Sequence, residues 1–75
     1  MREYQVQMFR HGHWMRGRIP YCGFINATES FESARELMEK AIDAWNSGEL
    51  PEVPTQWRIL SRKVSEWKPE MHRSV

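Results

Sequence analysis

Seventy-five residues carrying a net charge of +1 provide for one small domain and leave no room for a second core. The single cysteine, Cys22, excludes an internal disulfide framework. No run is apolar enough for a signal peptide or a membrane span, so the expected compartment is the cytoplasm and no membrane partner is expected. Nine aromatics (four Trp, two Tyr, three Phe) exceed what a core built on one helix takes up, so some are expected at a contact surface.

Tyr4 to Phe9 alternates, with Tyr4, Val6 and Met8 on one side and Gln5, Gln7 and Phe9 on the other, the pattern of a half-buried strand. Arg10-His11-Gly12-His13 is a turn with a glycine suited to positive φ, and Trp14 opens the return strand of a hairpin. Trp14 to Ile25 reads as one long edge strand bent at Pro20, or alternatively as an edge strand followed by a separate short strand over 21–25.

Thr28 to Gly48 holds the clearest period in the chain. Ala34, Leu37, Met38, Ala41, Ile42 and Trp45 fall on one helical face, and Arg35, Glu36, Glu39, Lys40 and Asp43 fall on the other. Ser33 with Glu36 makes a capping box that predicts the helix start, and Gly48 predicts a left-handed stop. A proline-marked linker follows, then a last strand from Gln56 to Trp67 with a bulge near Ser61–Lys63. Lys68 to Val75 carries too little apolar signal for an element and is expected as a flexible tail.

The expected fold is therefore α+β: a single ββαβ domain over residues 1–67, followed by the tail over 68–75. Its sheet is three-stranded and antiparallel in the order 2-1-3, with one helix packed on one face and the other face open. Residues 1–28 and 55–75 together carry +6, while residues 29–54 carry −5, so the sheet side is basic and the helix side acidic. On that basis Phe9, Arg10, Trp14, Arg16, Arg18, Trp57 and Arg58 are the expected partner-binding residues, aromatics beside arginines being enriched at interface centres.

Chemistry finds little purchase in this sequence. There is no Ser/His/Asp set and no glycine-rich phosphate loop, and the carboxylates at Glu36, Glu39 and Asp43 belong to a solvated helix face. His11, His13, Cys22 and His72 lack the paired spacing of a zinc site, and Cys22 is expected to be packed rather than nucleophilic. A non-enzymatic binding protein without cofactor or metal is the expected class. The alternatives are a nucleic-acid-binding module, stacking bases on the basic aromatic sheet face, and a homodimer pairing through that face.

At Tyr4-Gln5-Val6, Gly12-His13-Trp14, Phe31-Glu32-Ser33 and Trp57-Arg58-Ile59, the chain resembles a class of small phage and prophage proteins. Those run strand, glycine turn, Trp-led strand, phenylalanine–x–serine helix start, then an aromatic-Arg-aliphatic strand. The resemblance spans residues 4–67 and departs from the pattern at Leu37, where alanine is usual, and in the extra Ile19–Ile25 segment. It implies an accessory protein that binds, and can inhibit, a protein of the bacterial host in the host cytoplasm. Small phage inhibitors of bacterial RNA polymerase look similar in ββαβ order, although acidic where this chain is basic. Anti-CRISPR proteins are of comparable size. The resemblance is one of fold and carries no residue roles.

Overall fold

The computed structural model describes residues 2–63 and 66–75. Strand β1 (Glu3–Arg10) turns into β2 (His13–Arg16), and a small hairpin of β3 (Arg18–Ile19) and β4 (Gly23–Phe24) follows. Helix α1 (Phe31–Ser47) then leads to β5 (Gln56–Arg62) and β6 (Lys68–Ser74). The main sheet runs β2-β1-β5-β6 with all neighbours antiparallel, and β3 and β4 pair separately. The expected 2-1-3 arrangement is present as β2-β1-β5, and β6 adds a fourth strand beyond it.

The β1–β2 turn has His11 at φ 57 and Gly12 at φ 81, the paired positive values of a two-residue type I′ turn. At Gly17 the chain leaves the sheet edge, and a Cβ there would lie 3.0 Å from both the carbonyl oxygen and Cγ1 of Val6. Gly17 N–H donates to that carbonyl at 2.8 Å, so only glycine allows the chain to press against β1 at this point. The long bent strand expected through Pro20 is thus divided in favour of the alternative, a separate short strand within 21–25 that is β4, and Pro20 occupies a turn between β3 and β4.

Helix α1 begins earlier than its capping box suggests. Ser30, not Ser33, is the N-cap, and its hydroxyl accepts from the Ser33 amide at 3.3 Å. Both serines fit a cap by residue type, and the earlier start lets Phe31 pack edge-to-face on Tyr4 with ring centroids 5.9 Å apart. Gly48 ends the helix at φ −95 rather than in the left-handed region, which Glu49 takes at φ 49. The glycine is fixed by space instead, since a Cβ there would meet the Ala44 carbonyl at 3.1 Å.

The helix stripe is the buried face, as its period predicts: Ala34, Met38, Ala41, Ile42 and Trp45 are buried, with Leu37 at their border. They pack on Val6 and Met8 from β1 and on Trp57 and Ile59 from β5. Ile25 closes one end of this core.

The segment expected as a tail is strand β6. Its pairing with β5 shifts register between Ile59 and Leu60, so that Ile59 faces Met71, Leu60 faces Pro69, and Glu70 is the extra residue of a bulge. The irregularity lies on β6 rather than at the expected Ser61–Lys63; of the expected last strand, residues 64 and 65 fall outside the described set. Met71 joins the border of the core, and Arg73 forms an ion pair with Glu39 of the helix. The proline at position 69 is tolerated because β6 is an outer strand.

Candidate functional interface on the uncovered sheet face

Alternation along β1 sends Val6 and Met8 under the helix and Gln5, Gln7 and Phe9 to the opposite face. Register then assigns the neighbours on that opposite face. Phe9 stands opposite Trp14 of β2 and Gln56 of β5, and Gln7 stands opposite Arg16 and Arg58. Arg58 in turn faces His72 of β6.

These side chains interlock. The Phe9 and Trp14 rings meet edge-to-face at 5.4 Å, and Trp14 meets His72 in the same manner at 6.0 Å. Trp14 and His72 stand on the two outermost strands, whose backbones three strand spacings separate by about 14 Å. The contact therefore arches over the middle of the sheet. Beneath it the Arg58 guanidinium lies 4.1 Å from the Trp14 ring centroid, in cation–π contact. Arg58 Nε donates to Gln7 Oε1 at 2.8 Å, Gln7 Nε2 donates to Gln5 Oε1 at 2.9 Å, and His72 Nε2 donates to Gln56 Oε1 at 2.7 Å. Leu60, on this face by its register with Gln5, is only 7% exposed. The result is a connected aromatic and arginine cluster in which Phe9, Trp14 and Arg58 are half-buried and His72 is exposed.

Of the seven residues expected at a contact surface, Phe9, Trp14 and Arg58 come together here. Arg16 marks the border: its guanidinium donates to the Ile25 carbonyl at 3.3 Å and to Asn26 Oδ1 at 2.9 Å, and sits 5.3 Å from the Phe24 ring centroid. Trp57 is a correction. It is 1% exposed and lies in the core, because its parity matches Ile59 and both point under the helix. Arg10 is a second correction. It has the parity of Val6 and Met8, and at the strand end its guanidinium lies 4.7 Å from the Trp45 ring centroid and donates to the carbonyls of Pro51 and Glu52. Arg18 also stands away from the sheet face, on β3 beside Trp45, whose Nε1 donates to its carbonyl at 2.9 Å.

His72 carries no site signal in the sequence, where Lys68 to Val75 has too little apolar pattern to predict a strand. Tyr21 and Phe24, at 89% and 58% exposed, lie at a hairpin tip that neither a bent strand through Pro20 nor a strand over 21–25 marks as a surface site. Cys22 is exposed at the same hairpin tip rather than packed, since the turn carries it away from the core. Among the described residues, no three His, Cys, Asp or Glu side chains gather as a metal site would require, and no helix is long and apolar enough to cross a membrane. No family model, curated protein or solved structure matches this chain.

Proposed function

We propose that the chain is a non-catalytic binding protein and that the sheet face carrying Phe9, Trp14, Arg58 and His72 is its contact surface for another protein. One observation carries this reading: side chains from four strands are interlocked on the face turned away from the helix, where no element of the described residues covers them. Tryptophan and arginine dominate the energy of protein interfaces when their geometry is fixed in advance, because little side-chain entropy remains to be lost on docking. The Gln5–Gln7–Arg58 chain of hydrogen bonds supplies that fixation.

The same geometry favours a protein over a nucleic acid. A base stacking on Trp14 competes with Arg58, which already covers one ring face. On this reading the partner is a protein of a bacterial host and the compartment its cytoplasm, as the phage-class resemblance implies. The homodimer is the reading in which the partner is a second copy.

The test is a binding measurement with the intact chain, using a partner captured from bacterial lysate and then purified. Replacing Phe9 and Arg58 together with alanine is expected to abolish binding while the helix signal and thermal midpoint stay near their original values. Unchanged binding by the folded double variant overturns the assignment. Loss of self-association in ultracentrifugation, with no foreign partner, assigns the face to a dimer. Affinity that falls steeply with salt assigns it to nucleic acid.

A further inference from the structure

A second meeting of arginine and aromatic side chains lies where the β3–β4 hairpin approaches the end of α1. The hairpin turn closes through Cys22 N–H donating to the Ile19 carbonyl at 3.0 Å. Pro20 takes the first corner, and Tyr21 takes the second at φ 68. That is the pattern of a type II turn, in which the second corner favours glycine or asparagine because a Cβ is crowded there. Tyr21 is 89% exposed, so its ring does not offset the strain by joining the core.

Next to it, Arg18 holds its Nε out of solvent with no acceptor among the described residues. A buried charged donor without a partner is among the more costly features a small domain can retain. Arg10 stands nearby with its guanidinium committed to the carbonyls of Pro51 and Glu52, adding positive potential without being free to move. Arg10, Arg18, Tyr21, Trp45 and Leu50 border one cleft of about 240 Å³, and no carboxylate lines it. The strained exposed ring of Tyr21 and the side chain of Arg18, whose Nε lies out of solvent behind the surface, thus border the same positively charged space.

We propose that this cleft binds a small aryl anion, a single-ring carboxylate or phosphate ester, with the acid group on Arg18 and the ring against Tyr21. The guanidinium fork matches both acids in geometry and charge. Pro20 and Leu50 supply apolar walls. The volume is below the roughly 300–1,000 Å³ of pockets that take drug-sized ligands, which fits one ring and its charged group. The site is separate from the sheet-face contact surface, so either assignment stands or falls without the other.

The experiment is an NMR titration of the ¹⁵N-labelled chain, read at the arginine Nε–H signals, with phenyl phosphate, benzoate, inorganic phosphate and phenol as separate probes. Saturable movement of the Arg18 Nε–H signal is expected with phenyl phosphate or benzoate, a weaker response with inorganic phosphate, and none with phenol. Arg18→Leu is expected to weaken the aryl anion by about tenfold or more, as loss of a charge-assisted hydrogen bond does. Tyr21→Gly is expected to weaken it as well while raising the thermal midpoint, because glycine relieves the turn. If Arg18→Leu fails to fold, the wild-type Nε–H titration and the Tyr21→Gly variant decide the matter alone. The proposal is overturned if neither aryl anion saturates the signal, if inorganic phosphate binds as tightly as phenyl phosphate, or if Tyr21→Gly binds unchanged.

Discussion

The two faces of the sheet are made from alternate residues of the same strands, yet they are held by different forces. Under the helix, Val6, Met8, Trp57 and Ile59 are at most 1% exposed and belong to one buried apolar cluster. Their contribution is removal from water, at about 25 cal/mol per Å² of apolar area. On the other face Phe9, Trp14, Arg58 and His72 remain partly wet and hold one another by ring edges, a cation–π contact and side-chain hydrogen bonds. The first arrangement provides most of the folding energy; the second fixes geometry at small energetic gain. A strand as short as β1 therefore supplies the core with Val6 and Met8 and the uncovered face with Gln5, Gln7 and Phe9.

The contrast breaks most directly in the core. Met38→Ala is expected to cost about 2–5 kcal/mol in chemical denaturation, whereas Phe9→Ala should cost about 1 kcal/mol or less. Similar losses from both would mean that the uncovered face is a second core. The helix side offers a finer test at its first turn. Ser30→Ala is expected to lower stability by about 1 kcal/mol, with Ser33→Ala nearly neutral, measured by the same unfolding curves. On the other face, a double-mutant cycle between Trp14→Ala and Arg58→Ala should return a coupling of about 0.5–1 kcal/mol. A coupling of zero would show that the cluster touches without being locked, and would remove the preorganisation on which the contact-surface reading rests.

The better-covered face was also the more legible in the sequence. The stripe from Ala34 to Trp45 and the Tyr4-Val6-Met8 parity both follow from removing apolar groups from water, which leaves a period in the chain. The hairpin over His11-Gly12 was legible for a different reason, since its turn type demands particular residues. What stayed hidden follows from weaker signals. Strand β6 has one residue at the core border, Met71, and holds its place through backbone pairing and the Arg73–Glu39 ion pair, neither of which leaves a pattern. Arg10 was misplaced because a long cationic side chain at a strand end can reach over an apolar ring on the core side. Trp57 lies in the core although its neighbour Arg58 suggests a contact surface, because it shares the parity of Ile59.

The hydrogen bond from Arg58 to Gln7 joins residues 51 positions apart. That separation bears on how the cluster on the uncovered face comes into being during folding. The β1–β2 hairpin closes through a two-residue turn, an event of about 1–10 μs for an isolated hairpin, and it brings Phe9 to Trp14. Adding β5 requires the helix to form and a long loop to close first, and such non-local pairings are the slow steps of small domains. Arg58 and His72 thus reach Trp14 only when the sheet is finished. A nascent chain still lacking its last twenty or so residues would hold the aromatic half of the surface without the half that orients it. If that face is the contact surface proposed above, recognition would switch on together with global folding, and incomplete chains would not bind.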